Sequence, residues 1–156
     1  MRLGLVAALA AFLLAAGGAR ADEEGSPNVG AAVGYSSQFD RPFLALDLLA
    51  GTGGHWTVVP NVSFVETGAL NRWTIGVELQ WNAPAYRVHR KMLGWAGAGL
   101  AVVTEDPKGP LNPTTRDLVS NIVLGVGYDA PATPFLQLRV TLRDPSDAGL
   151  SVGVRF

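Results

Sequence analysis

Trp73-Thr74-Ile75-Gly76-Val77-Glu78-Leu79-Gln80-Trp81 alternates without a lapse, with Trp, Ile, Val, Leu and Trp on odd positions and Thr, Gly, Glu and Gln on even ones. A period of two sends the two sets to opposite faces of a β-strand. The same pattern recurs on both sides of this stretch. Val29, Ala31, Val33 and Tyr35 alternate with Gly30, Ala32, Gly34 and Ser36, and Leu44, Leu46, Leu48 and Ala50 alternate with Phe43, Ala45, Asp47 and Leu49. Trp56, Val58, Val62 and Phe64 face away from Thr57, Val59, Asn61 and Ser63. Further on, Leu118 to Tyr128, Phe135 to Leu142 and Leu150 to Phe156 repeat the alternation, and residues 91–103 make a fifth, less regular segment. This predicts eight strands of about ten residues, the length that crosses a bilayer at a barrel's tilt. Breakers separate them, including Gly51-Thr52-Gly53-Gly54, residues 129–134, Asp144-Pro145-Ser146-Asp147 and a long connector at 104–115 with Pro107, Pro110 and Pro113.

Two segments conflict with a simple ladder. Pro60 lies inside the third strand, where it removes a hydrogen bond, so a bulge or a late strand start is expected. In the fifth, Leu93 and Trp95 share one phase while Leu100 and Val102 share the other, and a bulge near Gly97-Ala98-Gly99 would reconcile them.

Composition narrows the alternatives. The chain has 156 residues, 48% of them hydrophobic and only 16% charged, with 19 Gly, 10 Pro and no Cys. One β-rich domain fits these numbers; a helix bundle, a disulfide scaffold, a thiolate metal site and a thiol nucleophile do not. Twelve Lys and Arg against thirteen Asp and Glu leave a formal charge of −1, which removes the basic footprint of a nucleic-acid binder. The first residues are read as an address. Met1-Arg2 is followed by an apolar run over residues 3–14 and by Ala19-Arg20-Ala21 ahead of Asp22-Glu23-Glu24. This is the layout of a secretory signal peptide at residues 1–21, leaving 22–156 as the barrel domain. Twelve apolar residues fall short of the roughly 20 that a transmembrane helix needs.

The charges decide which face is wet. Asp47, Glu78, Arg139 and Arg155 lie within strand interiors, and all four fall on the small and polar phase. The opposite phase is aliphatic, and the two lysines, Lys91 and Lys108, lie outside the strand middles. A soluble barrel needs a charged exterior, and none is available. The consistent arrangement is an all-β, eight-stranded antiparallel up-and-down transmembrane β-barrel, aliphatic toward lipid and polar within. The four charges then form an ion network in the lumen. Tyr35, Phe64 and Trp73 fall toward one rim and Trp56, Trp81, Tyr128 and Phe156 toward the other, as two interfacial aromatic girdles. Eight strands enclose a space just wide enough for side chains to fill, so no open pore is expected.

The closing run Gly149-Leu150-Ser151-Val152-Gly153-Val154-Arg155-Phe156 alternates and ends in Phe. With the signal peptide and eight strands, it resembles the small OmpA/OmpX-like outer-membrane barrels of Gram-negative bacteria. The resemblance implies an outer-membrane location, recognition of Phe156 as an assembly signal by the barrel assembly machinery, periplasmic termini, and contact with membrane lipids and lipopolysaccharide. The external connectors are then about residues 36–41, 66–71, 104–117 and 144–148, shorter than in the better-known members, which weakens any adhesin role.

Chemistry is sparse. His55 and His89 both fall at periplasmic turns, without the neighbouring nucleophile and acid that a triad needs and without a ligand set for a metal. Gly94, Gly97 and Gly99 precede no helix that could present its N-terminus to a phosphate, and they fit better as space for bulky lumen neighbours or as a bulge. Arg87, Arg90 and Lys91 cluster at one turn, as a solvated rim or a weak site for phospholipid head groups or periplasmic partners. No cofactor is expected. The reading is therefore a non-enzymatic membrane barrel of unknown oligomeric state. Its rivals are an outer-leaflet lipid-modifying enzyme on a similar barrel and a secreted soluble carrier of lipocalin type.

Overall fold

In the computed structural model, which describes residues 28–53, 55–83, 91–109 and 113–156, eight antiparallel strands follow one another around a closed barrel. The expected signal peptide at residues 1–21 lies outside the described residues, as do Arg87, His89 and Arg90. The strands are β1 (Asn28–Ser36), β2 (Arg41–Gly53), β3 (Trp56–Glu66), β4 (Leu70–Ala83), β5 (Met92–Pro107), β6 (Thr115–Tyr128), β7 (Thr133–Leu142) and β8 (Asp147–Arg155). Each pairs with the next, and β1 closes the ring on β8 with Gly30 opposite Arg155. Closure leaves no strand edge whose amides would otherwise have to be satisfied in hydrocarbon.

The β1–β2, β3–β4, β5–β6 and β7–β8 connectors share one end, the upper rim, while Asn28, His55 and the β6–β7 connector mark the lower rim. In the first upper turn Asp40 adopts φ 54°, a left-handed conformation that Asp tolerates, and its carboxylate accepts the Tyr35 hydroxyl. The upper connectors are shorter than the sequence suggests. Strands β4 and β5 stay paired out to Leu70 opposite Pro107, so the Pro-rich segment is partly strand.

The two phases separate as charge and hydropathy demand. Outside, Ile75 is 62% exposed, Leu79 47% and Leu118 73%, whereas Glu78 at 1% and Gln80 at 0% face inward. An apolar exterior of this extent suits acyl chains and not water, which overturns the soluble-carrier arrangement.

Both expected irregularities are absent. Pro60 pairs with Val77 in an unbroken β3–β4 ladder, and on its other side the β2–β3 register is the same at Asp47–Asn61 and at Ala50–Val58. The missing N–H interrupts the β2 ladder without shifting it. The shift occurs instead between Gly51 and Gly53, where the sequence suggests only a breaker and β2 in fact continues. Strand β5 keeps one register against β4 and β6 throughout its 16 residues, with no bulge at Gly97–Gly99. Trp95 and Val103 therefore both point inward, and the lumen carries apolar bulk as well as charge.

That unbroken register depends on small partners. Gly34 lies directly opposite Phe43, Gly125 opposite Trp95, Gly153 opposite Phe135, Gly99 opposite Glu78 and Gly97 opposite Gln80. A Cβ on Gly125 would stand 2.1 Å from the Trp95 ring, one on Gly34 2.4 Å from Phe43 and one on Gly99 2.9 Å from the Glu78 side chain. Each of these five inward residues thus lies across a glycine of the neighbouring strand, and this arrangement fits bulky groups into a narrow cylinder.

Candidate functional site

The functional geometry lies in the lumen, which the inward phase fills in three tiers. In the middle tier Glu78 (β4) accepts from Arg139 (β7) through Nε at 2.6 Å and Nη2 at 3.3 Å. It also accepts from Asn121 Nδ2 at 2.7 Å and Gln80 Nε2 at 2.8 Å. Arg139 Nη2 reaches on to Asp47 (β2) at 3.3 Å. Three of the four charges that the sequence places inside are thereby brought together, with two carboxylates on one guanidinium.

Arg155 is the exception to the expected network. Its guanidinium carbon lies 3.8 Å from the centre of the Trp95 ring and 5.1 Å from that of Phe135. Its Nη2 makes only long contacts, 3.4 Å each, to the side-chain oxygens of Gln80 and Gln137, and its Nε has no hydrogen-bond partner. Among the described residues it forms no ion pair. The reason is steric and local: Trp95 points inward and Gln137 accepts its indole N–H at 3.1 Å, which sets a plate against which the guanidinium stacks.

The upper tier contains charges that the sequence reading overlooked. Arg72, 2% exposed, shares the inward phase of Glu78, since both are even-numbered in β4; that parity was the available signal. Its Nη1 donates to Gln38 Oε1 at 2.8 Å and to Asp147 Oδ2 at 3.2 Å, while Ser36 Oγ donates to Asp147 Oδ1 at 2.8 Å. Nearby, Arg143 joins Glu105 at 2.7 Å and Asp117 at 3.6 Å. A cavity of about 40 Å³ lies in this tier, lined by Phe43, Arg72, Arg139 and Asp147 among others. In the lower tier a larger cavity of about 520 Å³ opens beside Trp95 and Arg155. The buried Glu78, Gln80, Val59 and Val123 stand between the two.

On the outside, Trp73 and Phe64 face each other across β3 and β4 near the upper rim with ring centroids 4.4 Å apart, and Tyr35 stands 48% exposed. Trp56 and Trp81 oppose each other toward the lower rim, where Tyr128 lies 5.9 Å from Lys91 Nζ. Phe156 exchanges two backbone hydrogen bonds with Val29. Turn residue His55 is exposed at the lower rim, and its carbonyl accepts from the Asn82 backbone and side chain.

Sequence comparison finds no matching family model and no matching curated protein. Structure comparison does find matches. The chain is similar to the N-terminal β-barrel domain of OprF from Pseudomonas aeruginosa, with a TM-score of 0.61 at 14% identity over 85% of this chain and 100% of that one. It is similar to Neisserial surface protein A, with a TM-score of 0.60 at 14% identity over 85% and 98%. A designed transmembrane β-barrel matches with a TM-score of 0.54 at 12% identity over 86% and 97%. At such identities the likeness bears on the fold: the chain is an eight-stranded barrel of the small outer-membrane type.

Proposed function

We propose that the chain is exported on residues 1–21, assembled into the outer membrane, and serves there as a non-enzymatic integral barrel in a structural, lipid-contacting or surface-interaction role. One observation carries this reading, the inversion of the two faces: Leu118, Ile75 and Val152 project outward at 73%, 62% and 54% exposure while Glu78 and Asp47 are buried inside. The aromatic pairs near the two rims suit the two membrane–water interfaces. The upper rim is the external one in this reading and meets lipopolysaccharide, and the terminal strand with Phe156 is what the assembly machinery engages. The upper-tier side chains hold one another in Arg72–Asp147 and Arg143–Glu105 pairs, which supports a structural more than a catalytic role there.

Cell fractionation combined with single-channel recording tests the proposal. The expected result is a chain that needs detergent for release from the outer membrane, migrates as a compact species until heated, and gives no steady conductance in planar bilayers. Release by salt alone, a stable open conductance, or turnover of purified lipid A or phospholipid would each refute it.

A further inference from the structure

We propose that the lower mouth of the lumen is a binding site for a small organic anion, with the Arg155 guanidinium on its Trp95 plate as the cationic floor. The cavity there measures about 520 Å³, within the size range of small-molecule pockets. Its walls combine Trp95 and Leu93 with Thr57, Asn82 and Thr133.

The polar groups of the wall are largely committed to one another. Asn82 Nδ2 donates to Thr57 Oγ1 at 2.7 Å and to the His55 carbonyl at 3.3 Å, and Thr133 Oγ1 donates to the Ala130 carbonyl at 3.1 Å. Arg155 is different. It is only 9% exposed, its Nε is without an acceptor, and its two contacts to Gln80 and Gln137 are 3.4 Å long. The carboxylates of Asp47 and Glu78 are both engaged by Arg139, at 3.3 and 2.6 Å. Among the described residues the hydrogen-bond acceptors of this buried cation are amide oxygens, and the Asp47 and Glu78 carboxylates act on it only through space, which favours an anion brought from outside. The guanidinium that lines the cavity and the apolar plate beside it define the ligand class: one terminal carboxylate or phosphate on a compact apolar body. Arg presents a planar fork suited to either head.

The test is an NMR titration of the full barrel in lipid nanodiscs, following the Arg155 Nε–H and Trp95 indole N–H signals. Benzoate, phenyl phosphate, inorganic phosphate and benzyl alcohol serve as probes, which separates a carboxylate head from a phosphate head and the head from the body. Saturable shifts of both signals are expected with benzoate, phenyl phosphate or both, at least about tenfold tighter than with benzyl alcohol, as a charge-assisted hydrogen bond requires. Gln137→Glu places a carboxylate beside the guanidinium and is expected to abolish anion binding while leaving the weak benzyl alcohol response; Arg155→Gln is expected to do the same. The absence of saturable shifts in the wild type, equal affinity for benzyl alcohol, shifts with inorganic phosphate alone, or unchanged anion binding in Gln137→Glu would each overturn the proposal.

Discussion

Removing the cation of the middle tier should destabilise the barrel more than any other single truncation in the lumen. Arg139→Gln leaves Glu78 with its two amide donors at 2.7 and 2.8 Å but no cation, and takes from Asp47 its 3.3 Å partner. Both carboxylates are almost wholly shielded, at 1% and 4% exposure, so an uncompensated charge there costs about 3–5 kcal/mol. Glu78→Gln is milder. Arg139 retains Asp47, and the loss amounts to one charge-assisted interaction, about 1.5–3 kcal/mol. In the double variant neither unpaired charge arises at the Glu78–Arg139 contact, so its cost should fall short of the summed singles by about 1–3 kcal/mol. Urea unfolding of the barrel in lipid vesicles, followed by tryptophan fluorescence, measures all three. Burial also predicts that the coupling persists at high salt, unlike that of the half-exposed Lys108–Glu66 pair at the upper rim. Additivity within about 0.5 kcal/mol would refute direct pairing across the lumen.

Other perturbations address the wall. Val152→Arg puts a charge on a lipid-facing position 54% exposed, and it should lower stability in vesicles by about 2–4 kcal/mol if the site lies near the midplane; assembly equal to wild type would contradict the outward assignment. Gly125→Ala forces a methyl group to within 2.1 Å of the Trp95 ring and should destabilise by about 1–3 kcal/mol, whereas Gly94→Ala, with its nearest neighbour at 3.9 Å, should change the unfolding midpoint little. A similar effect at both glycines would argue against the cross-strand seating of Trp95. Pro60→Val restores an N–H toward β2 in a register that is already in place, and a gain of about 0.5–1.5 kcal/mol is expected in the same unfolding assay. Slower amide exchange at neighbouring positions would accompany it, and a loss of stability would show that the ladder gap is occupied in another way.

Much of the fold was legible because a period of two is unforgiving: in β4 a slip of one residue would expose Glu78 and bury Leu79. The inward set of β6, β7 and β8 follows from the same parity, which places Glu78 and Arg139 in one lumen; that these two meet is shown by the structure. The fifth strand was not legible from its own residues. Its Leu93 and Trp95 look like lipid-facing residues, and only the glycines opposite them, Gly127 and Gly125 on β6, reveal that they are inward. Those glycines are 30 or more positions away, and nothing local links them to Trp95. With the facing of Trp95 left open, the place of Arg155 is not legible either, because the ring that holds the guanidinium is missing from the sequence picture. Arg72 was overlooked for another reason: it lies next to a girdle tryptophan and close to a turn, where an arginine is ordinarily solvated.

The position of the ion cluster follows from what a barrel wall cannot do for itself. Every backbone hydrogen bond in the wall joins neighbouring strands, so the wall fixes circumference and register but offers little resistance to flattening of the cross-section. Resistance must come from contacts across the lumen. Glu78 on β4 engages Asn121 on β6 and Arg139 on β7, and Arg139 engages Asp47 on β2, so one cluster ties together four strands of the ring, of which only β6 and β7 are neighbours. Apolar side chains could fill the same space, but they tolerate sliding, whereas the short Arg139–Glu78 pair does not. The glycine partners Gly97 and Gly99 let β4 approach closely enough for Glu78 and Gln80 to reach the centre. Sequence parity, cross-strand glycines and central charge are therefore parts of one device. Its testable signature is that the Arg139–Glu78 double variant should keep its strand pairing, read by amide exchange, while the Trp95 indole and other lumen side chains lose their fixed environment; simultaneous loss of both would show that the wall, and not the cluster, sets the cross-section.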